Sequence, residues 1–292
     1  MDVVVQIVAS GLTLGAMYAV STVGLSLVYG SLNMLNMAHG AILTIGGYAA
    51  YAVSQQLGLP AAFGFLAAIV VGAFIGLLIF AATARPLLKS KNFETNVFIA
   101  TIGVGAVLEN VVLKLFGPYA KPQPLNIPGG VRIGAVLIPY QNIAIFGVAI
   151  AMMAIVAFRL QRSRAGRAIR ATAQNREAAE LMGVHVHGVY AQVLALSGAL
   201  AAVSGVMISS LATLSPNMGG DPMLKAFIIC VVAGLGNTYG AVAAAIVIGL
   251  LEAATQYLLG VRFGFALLLL LVIAVLIWRP AGFFGKARIV RL

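Results

Sequence analysis

Few residues in this 292-residue chain could do chemistry, and they are scattered. His185 and His187 stand two apart, so they do not share a helix face and do not present a metal site. Cys230 is the sole cysteine, which excludes a disulfide framework or a thiolate cluster. No G-x-x-x-x-G-K-[ST] phosphate loop occurs; "GFFGKA" (Gly282–Ala287) lacks both the spacing and the hydroxyl. Neither G-x-S-x-G nor H-E-x-x-H is present. The chain therefore reads as non-enzymatic, with no metal and no cofactor of its own. What remains are polar groups set singly into apolar runs: Asn33, Asn36 and His39 in "YGSLNMLNMAHGAI", Lys225 after Gly219 and Gly220, Glu109, and Glu252 in "IGLLEAATQYLL". Ionisable groups at membrane depth are costly, and they mark either transport paths or polar contacts between helices.

The elements that must position these groups follow from composition. Hydrophobic residues make up 62% of the chain and charged ones 9%, with a mean hydropathy of +1.05. Apolar runs near 20 residues recur, each long enough to cross a hydrocarbon core of about 30 Å as a helix. The fold class is thus an all-α polytopic membrane protein, one domain over 1–292, with candidate spans at 5–29, 36–55, 60–83, 96–116, 141–159, 189–212, 223–236, 240–259 and 264–278. The seventh is short, so the bundle holds eight or nine transmembrane helices. The opening "MDVVVQIVAS" has no basic flank and reads as a first span rather than a cleaved signal.

The net charge of +11 lies in connections between spans, as the positive-inside rule expects, and not in a nucleic-acid surface. "ARPLLKSKNFE", the segment 160–188, and the tail 279–292 with Arg279, Lys286, Arg288 and Arg291 are expected on the cytoplasmic side. The Pro- and Gly-rich loop 117–140 is expected outside. This places the N-terminus outside and the C-terminus inside if the crossings are nine.

Two spans carry breakers at membrane depth. One is Tyr29–Ile42. The other is flanked by "LSPNMGGDPMLKAF" and "VAGLGNTYGAVAA". Irregular backbone survives there only when buried in protein or facing a cavity, so both are expected to be broken or re-entrant helices near the path. A half-helix N-terminus at the second break would suit a solute carboxylate.

The stretch "RSRAGRAIRATAQNREAAELMGVHVHG" (Arg162–Gly188) holds five arginines and two glutamates. Asn175 is a suitable N-cap for a short helix from Arg176, Gly183 can end it, and Arg176 and Glu180 have i,i+4 spacing. Ala178 and Ala179 would admit a close partner surface, with Leu181 and Met182 as apolar contacts. A basic loop lying at lipid headgroups is the plainer reading.

Four blocks resemble the shorter permease type of the branched-chain amino acid family of ATP-driven (ABC) importers. "EAAELMG" fits the E-A-A-x-x-x-G core of the cytoplasmic loop. Gly15, Tyr18, Ala19, Gly24, Tyr29, Gly30, Asn36, Ala38, His39 and Gly40 match the N-terminal block. Lys225, Ala226, Phe227, Gly234, Gly236, Gly240, Ala241, Gly249 and Glu252 match a third, and "RPAGFFGK" the C-terminal one. Departures are Met37, Ala233 and Asn237, where Phe, Gly and Ser are usual.

The resemblance implies an importer subunit in a bacterial or archaeal cytoplasmic membrane. Its partners would be a second, usually paralogous permease, two ABC ATPase subunits that carry the ATP and Mg, a periplasmic or lipid-anchored solute-binding protein, and the membrane lipid. Arg170, Glu177, Ala178, Ala179, Leu181, Met182 and Gly183 would form the coupling helix against an ATPase. Tyr18, Asn33, Asn36, His39, Gly40, Gly219, Gly220, Lys225 and Glu252 would lie along the path. The expected solute is a branched-chain or related amino acid, with urea or a short-chain amide as the alternative within the family. A cation-coupled secondary transporter is the alternative outside it, and a channel a more distant one.

Overall fold

The computed structural model describes residues 2–133 and 136–285. Lys286, Arg288 and Arg291 of the basic tail lie outside that range. Helix α1 (Asp2–Leu32) is followed by an extended segment and then α2 (His39–Tyr51), which continues through a π-turn to Gln56. Helix α3 (Ala61–Ile79) runs on through a second π-turn into α4 (Arg85–Leu87). Then come α5 (Phe93–Phe116), the antiparallel hairpin β1 (Gly130–Ile133) and β2 (Val136–Pro139), and α6 (Tyr140–Arg162). The basic stretch folds as α7 (Arg164–Gln174) and α8 (Arg176–Leu181). Helices α9 (Val186–Leu211), α10 (Gly220–Ala233), α11 (Thr238–Leu258) and α12 (Val261–Trp278) complete the bundle.

Charge distinguishes the two sides of the bundle. The basic side carries α7, α8 and the turn around Lys91, and the end of α1 meets them there around one recess. The other side carries the β-hairpin. Seven helices are long and apolar enough to cross a membrane unbroken. Two more crossings join a helix to a non-helical stretch of chain. The first leaves α1 on the basic side at Asn33, climbs to His39, and ends on the hairpin side, where the Gln55 amide donates to the Gln123 carbonyl. The second starts on the hairpin side, where the Lys121 N–H donates to the Leu214 carbonyl, and ends as α10 on the basic side. The described residues therefore cross nine times, with the N-terminus on the hairpin side and α12 ending on the basic side.

The two broken spans run in opposite directions and meet where Gly219 lies against Gly40 and Thr44. Their surroundings are also inverted copies. Helix α1 packs on α11 as α9 packs on α3, and α2 packs on α9 as α10 packs on α1. Sequence identity between the halves is weak, but both breaks contain Asn-Met three residues before the new helix: Asn36-Met37 before His39, and Asn217-Met218 before Gly220. Transporter folds with inverted repeats carry their solute sites at such junctions.

The extended segments need partners because lipid offers no hydrogen bonds. Thr101 of α5, fully buried, accepts from the Met37 N–H at 3.1 Å, and the Asn36 side chain accepts from the Ala38 N–H at 3.1 Å. On the basic side the tail supplies what α10 lacks: the Phe283 and Phe284 N–H groups donate to the Val232 and Ala233 carbonyls at 2.8 and 3.0 Å. Asn237 caps α11 by accepting from the Gly240 N–H and donates to the Phe284 carbonyl. Its departure from serine keeps a capping side chain and adds this bond.

Two seams of small residues hold the repeats together. Gly249 of α11 fits against the backbone of Gly15, and Gly198 of α9 against the carbonyl of Gly72. A Cβ at either position would overlap partner backbone, and rigid helices have no cheap way to separate. Gly198→Val is expected to cost about 1–3 kcal/mol, read as a lower unfolding temperature in detergent. Gly103→Val on α5, where open space surrounds the position, should leave that temperature unchanged.

Candidate functional site

Three charged residues of the last spans, Asp221, Lys225 and Glu252, meet beside the middle of α1. Tyr18 is the seventeenth of its 31 residues. The Lys225 ammonium of α10 donates to the Tyr18 hydroxyl at 3.3 Å and to Glu252 Oε1 of α11 at 2.8 Å, and it lies 3.0 Å from Asp221 Oδ2. Gln256, one turn along α11, donates to the same Glu252 oxygen at 3.0 Å. Lys225 also stands over the Tyr18 ring, 5.7 Å from its centroid. The burial of the three charged groups differs sharply: Glu252 is 1% exposed, the Lys225 side chain 11%, and the Asp221 side chain 63%.

This arrangement revises how the second break can act. Lys225 is not a lone cation awaiting an anion, because two carboxylates already hold it. Helix α10 begins at Gly220 with Asp221 in its first turn, so an acid already faces the positive end of the half-helix. Asp221 was missed at the sequence level because Asp-Pro after two glycines reads as turn chemistry. The available signal was its i,i+4 spacing from Lys225. An exposed carboxylate at this depth costs about 2.5–3.5 kcal/mol against lipid, so this face of α10 suits water or protein rather than acyl chains.

The remaining candidates divide by location. Gly40 and Gly219 form the junction of the two broken spans, and Gly220 opens α10 beside them. His39 is fully buried, with its Nε2 3.0 Å from the Ser21 hydroxyl, so it joins α2 to α1 from within. Asn36 is buried and occupied with the Ala38 N–H. Asn33, with φ +52°, lies well away from these at the basic end of α1. Glu109 is on α5, away from the ion pairs, and it forms no salt bridge with Lys114 among the described residues.

Two recesses flank this layer. Gln6, Ser10, Leu14, Gln256 and Tyr257 line one of about 220 Å³ between α1 and α11. Through Gln256 it adjoins Glu252. The other, about 600 Å³, opens on the basic side between the end of α1, the residues around Lys91–Thr95, and Thr172–Arg176. It brings the start of α8 to the end of the helix whose middle carries Tyr18.

The basic stretch folds around its caps. Ser163 accepts from the Gly166 N–H to start α7, and Asn175 accepts from the Ala178 N–H at 3.0 Å to start α8. Gly183, at φ +82°, ends α8 in the left-handed conformation that favours glycine. Arg170 turns back to donate to the Leu160 carbonyl at the end of α6, tying α7 to a span. The i,i+4 pair of Arg176 with Glu180 does not form. Arg176 lies over the Tyr190 ring of α9 instead, 5.7 Å from its centroid. Ala179 faces inward at 5% exposure, so it cannot meet a partner as its spacing suggested. Ala178, Glu177 and Glu180 face outward, and Leu181 and Met182 are 88% and 84% exposed. Two large apolar side chains therefore stand exposed at the tip of an otherwise polar loop.

Nine crossings, inverted halves, a charged layer at their junction and an apolar-tipped loop define a membrane permease. The family described as the branched-chain amino acid transport system permease component matches residues 7–277. The chain belongs to that family. It is 30% identical over 298 residues to the high-affinity branched-chain amino acid transport system permease protein BraD of Pseudomonas aeruginosa, covering 97% of this chain and 96% of the relative. It is 30% identical over 295 residues to LivH of Escherichia coli (strain K12), covering 96% and 95%. A probable branched-chain amino acid transport permease protein, LivH of Methanocaldococcus jannaschii, is 27% identical over 278 residues, covering 90% and 86%. No solved structure matches the chain.

The ion pair makes a stability prediction. Removing one member of a buried pair leaves a desolvated charge, at a cost of about 3–5 kcal/mol, whereas replacing both by apolar groups is far milder. Lys225→Met is therefore expected to lower the unfolding temperature in detergent markedly, because Glu252 is buried and loses its cation. The double variant Lys225→Met with Glu252→Leu should recover most of that loss.

Proposed function

We propose that this chain is one of two membrane-crossing subunits of an ATP-driven importer for a branched-chain or related amino acid. A solute-binding protein would deliver the amino acid to the hairpin side, and separate ATPase subunits would supply the energy. The observation that carries the reading is the exposed pair Leu181 and Met182, presented by a capped short helix on the basic side. The relatives' names supply the solute class. The basic side is cytoplasmic on the distribution of arginine and lysine, with the C-terminal tail on that side, and the membrane is the cytoplasmic one. The chain itself would hold neither ATP nor Mg.

Coupling then has a physical route. Movement of α8 displaces Asn175 and Arg176, which share the basic-side recess with Gly30–Asn33 at the end of α1. Helix α1 is unbroken and roughly 46 Å long at 1.5 Å per residue, so it would tilt as a unit. A tilt at its basic end therefore reaches Tyr18 and the Lys225 layer. The cation-coupled alternative calls for free carboxylates converging at mid-depth, but Glu252 is held by Lys225 and Glu109 lies elsewhere.

Leu181→Asp with Met182→Asp places two charges on the contact surface without touching buried residues. In the assembled complex in proteoliposomes, amino acid uptake should fall at least tenfold and ATPase activity should lose its stimulation by loaded binding protein. The amount of inserted permease should stay unchanged. Normal uptake by this variant would sink the coupling role.

A further inference from the structure

We propose that the contact between Asp221 and Lys225 is an exchangeable ion pair that selects zwitterionic solutes. The solute's ammonium would take Asp221 while its carboxylate takes the place of Asp221 on Lys225. This rests on the amino acid reading above and names the residues that would enforce it.

The asymmetry of the layer carries the argument. The Lys225 ammonium donates to Glu252 at 2.8 Å and to Tyr18 at 3.3 Å, and it forms an ion pair with Asp221 at 3.0 Å. The Glu252 contact is enclosed and supported by Gln256, so it stays closed. The Asp221 contact joins one turn of a single helix and is largely open on the Asp side. Exposed pairs of this kind are weak and open readily. Opening it frees one carboxylate and one side of the ammonium next to each other.

An α-amino acid carries an ammonium and a carboxylate on one carbon, spaced much as the two members of a single ion pair. Its insertion leaves every charge paired: Lys225 keeps two anions, Asp221 gains a cation, and the net charge of the layer does not change. Urea, a simple amide or a sugar brings no charges to replace those it would separate. Its passage would part Asp221 from Lys225 with no charge to take the place of either. Discrimination by unpaired groups is stronger than discrimination by shape. The first turn of α10 also borders the junction of Gly40 and Gly219, so exchange would occur where the two broken spans meet.

The test uses the complete complex with its binding protein in proteoliposomes, with radiolabelled L-leucine and urea as probes. Asp221→Asn is expected to cut leucine uptake tenfold or more. Asp221→Glu should restore at least half of it, and stimulation of the ATPase by loaded binding protein should persist in both variants. Wild-type leucine uptake in Asp221→Asn would overturn the exchange alone, and so would loss of ATPase stimulation together with uptake, which marks a structural role. A wild-type complex that imports urea and not leucine would overturn the amino acid reading and the exchange together.

Discussion

Backbone polar groups cannot be left open in hydrocarbon, and this protein breaks two of its spans inside it. The rest of the architecture follows from that conflict. The segment 33–38 and the segment 212–219 need hydrogen-bond partners and a protein wall on every side. Thr101 and the Asn36 amide serve the first, while the Lys121 N–H of the long loop serves the second. The walls are helices brought close by glycine, with Gly15 on Gly249 and Gly72 on Gly198. Without that proximity the junction of Gly40 and Gly219 would be exposed.

The broken spans create a place where charge can reside. A continuous helix through the same depth would offer only side chains, whereas α10 begins near mid-membrane and carries Asp221 and Lys225 within its first turns. Glu252 and Tyr18 converge on it from neighbouring helices. The charged layer thus ties together α1, α10 and α11. Tyr18 lies on the same helix whose basic end meets the start of α8. One long helix therefore connects the basic-side loop with the charged layer.

Much of this was legible in order along the chain. All nine spans fall within a few residues of the apolar runs, because 20 apolar residues have few alternatives in a membrane. Both breaks were marked by Asn, Gly and Pro, and the short helix in the basic stretch begins at Asn175 and ends at Gly183 as capping chemistry requires. Spacing alone could not orient side chains around a helix of barely two turns. Ala179 turned inward because α8 lies on the bundle, and Arg176 found an aromatic face on α9 closer than Glu180 on its own helix.

The sequence by itself determined the class, the side on which charge collects, the positions of the breaks and the family. Hydropathy, capping and motif are local properties, so they survive in one dimension. Only the tertiary structure decided that the described residues cross nine times, that the two halves are inverted copies, and that Lys225 is shared by Glu252 and Asp221 rather than free. Those facts depend on residues 4 to 207 positions apart meeting at one depth. Pairing across that range follows from helix packing at glycine seams, which no local pattern records.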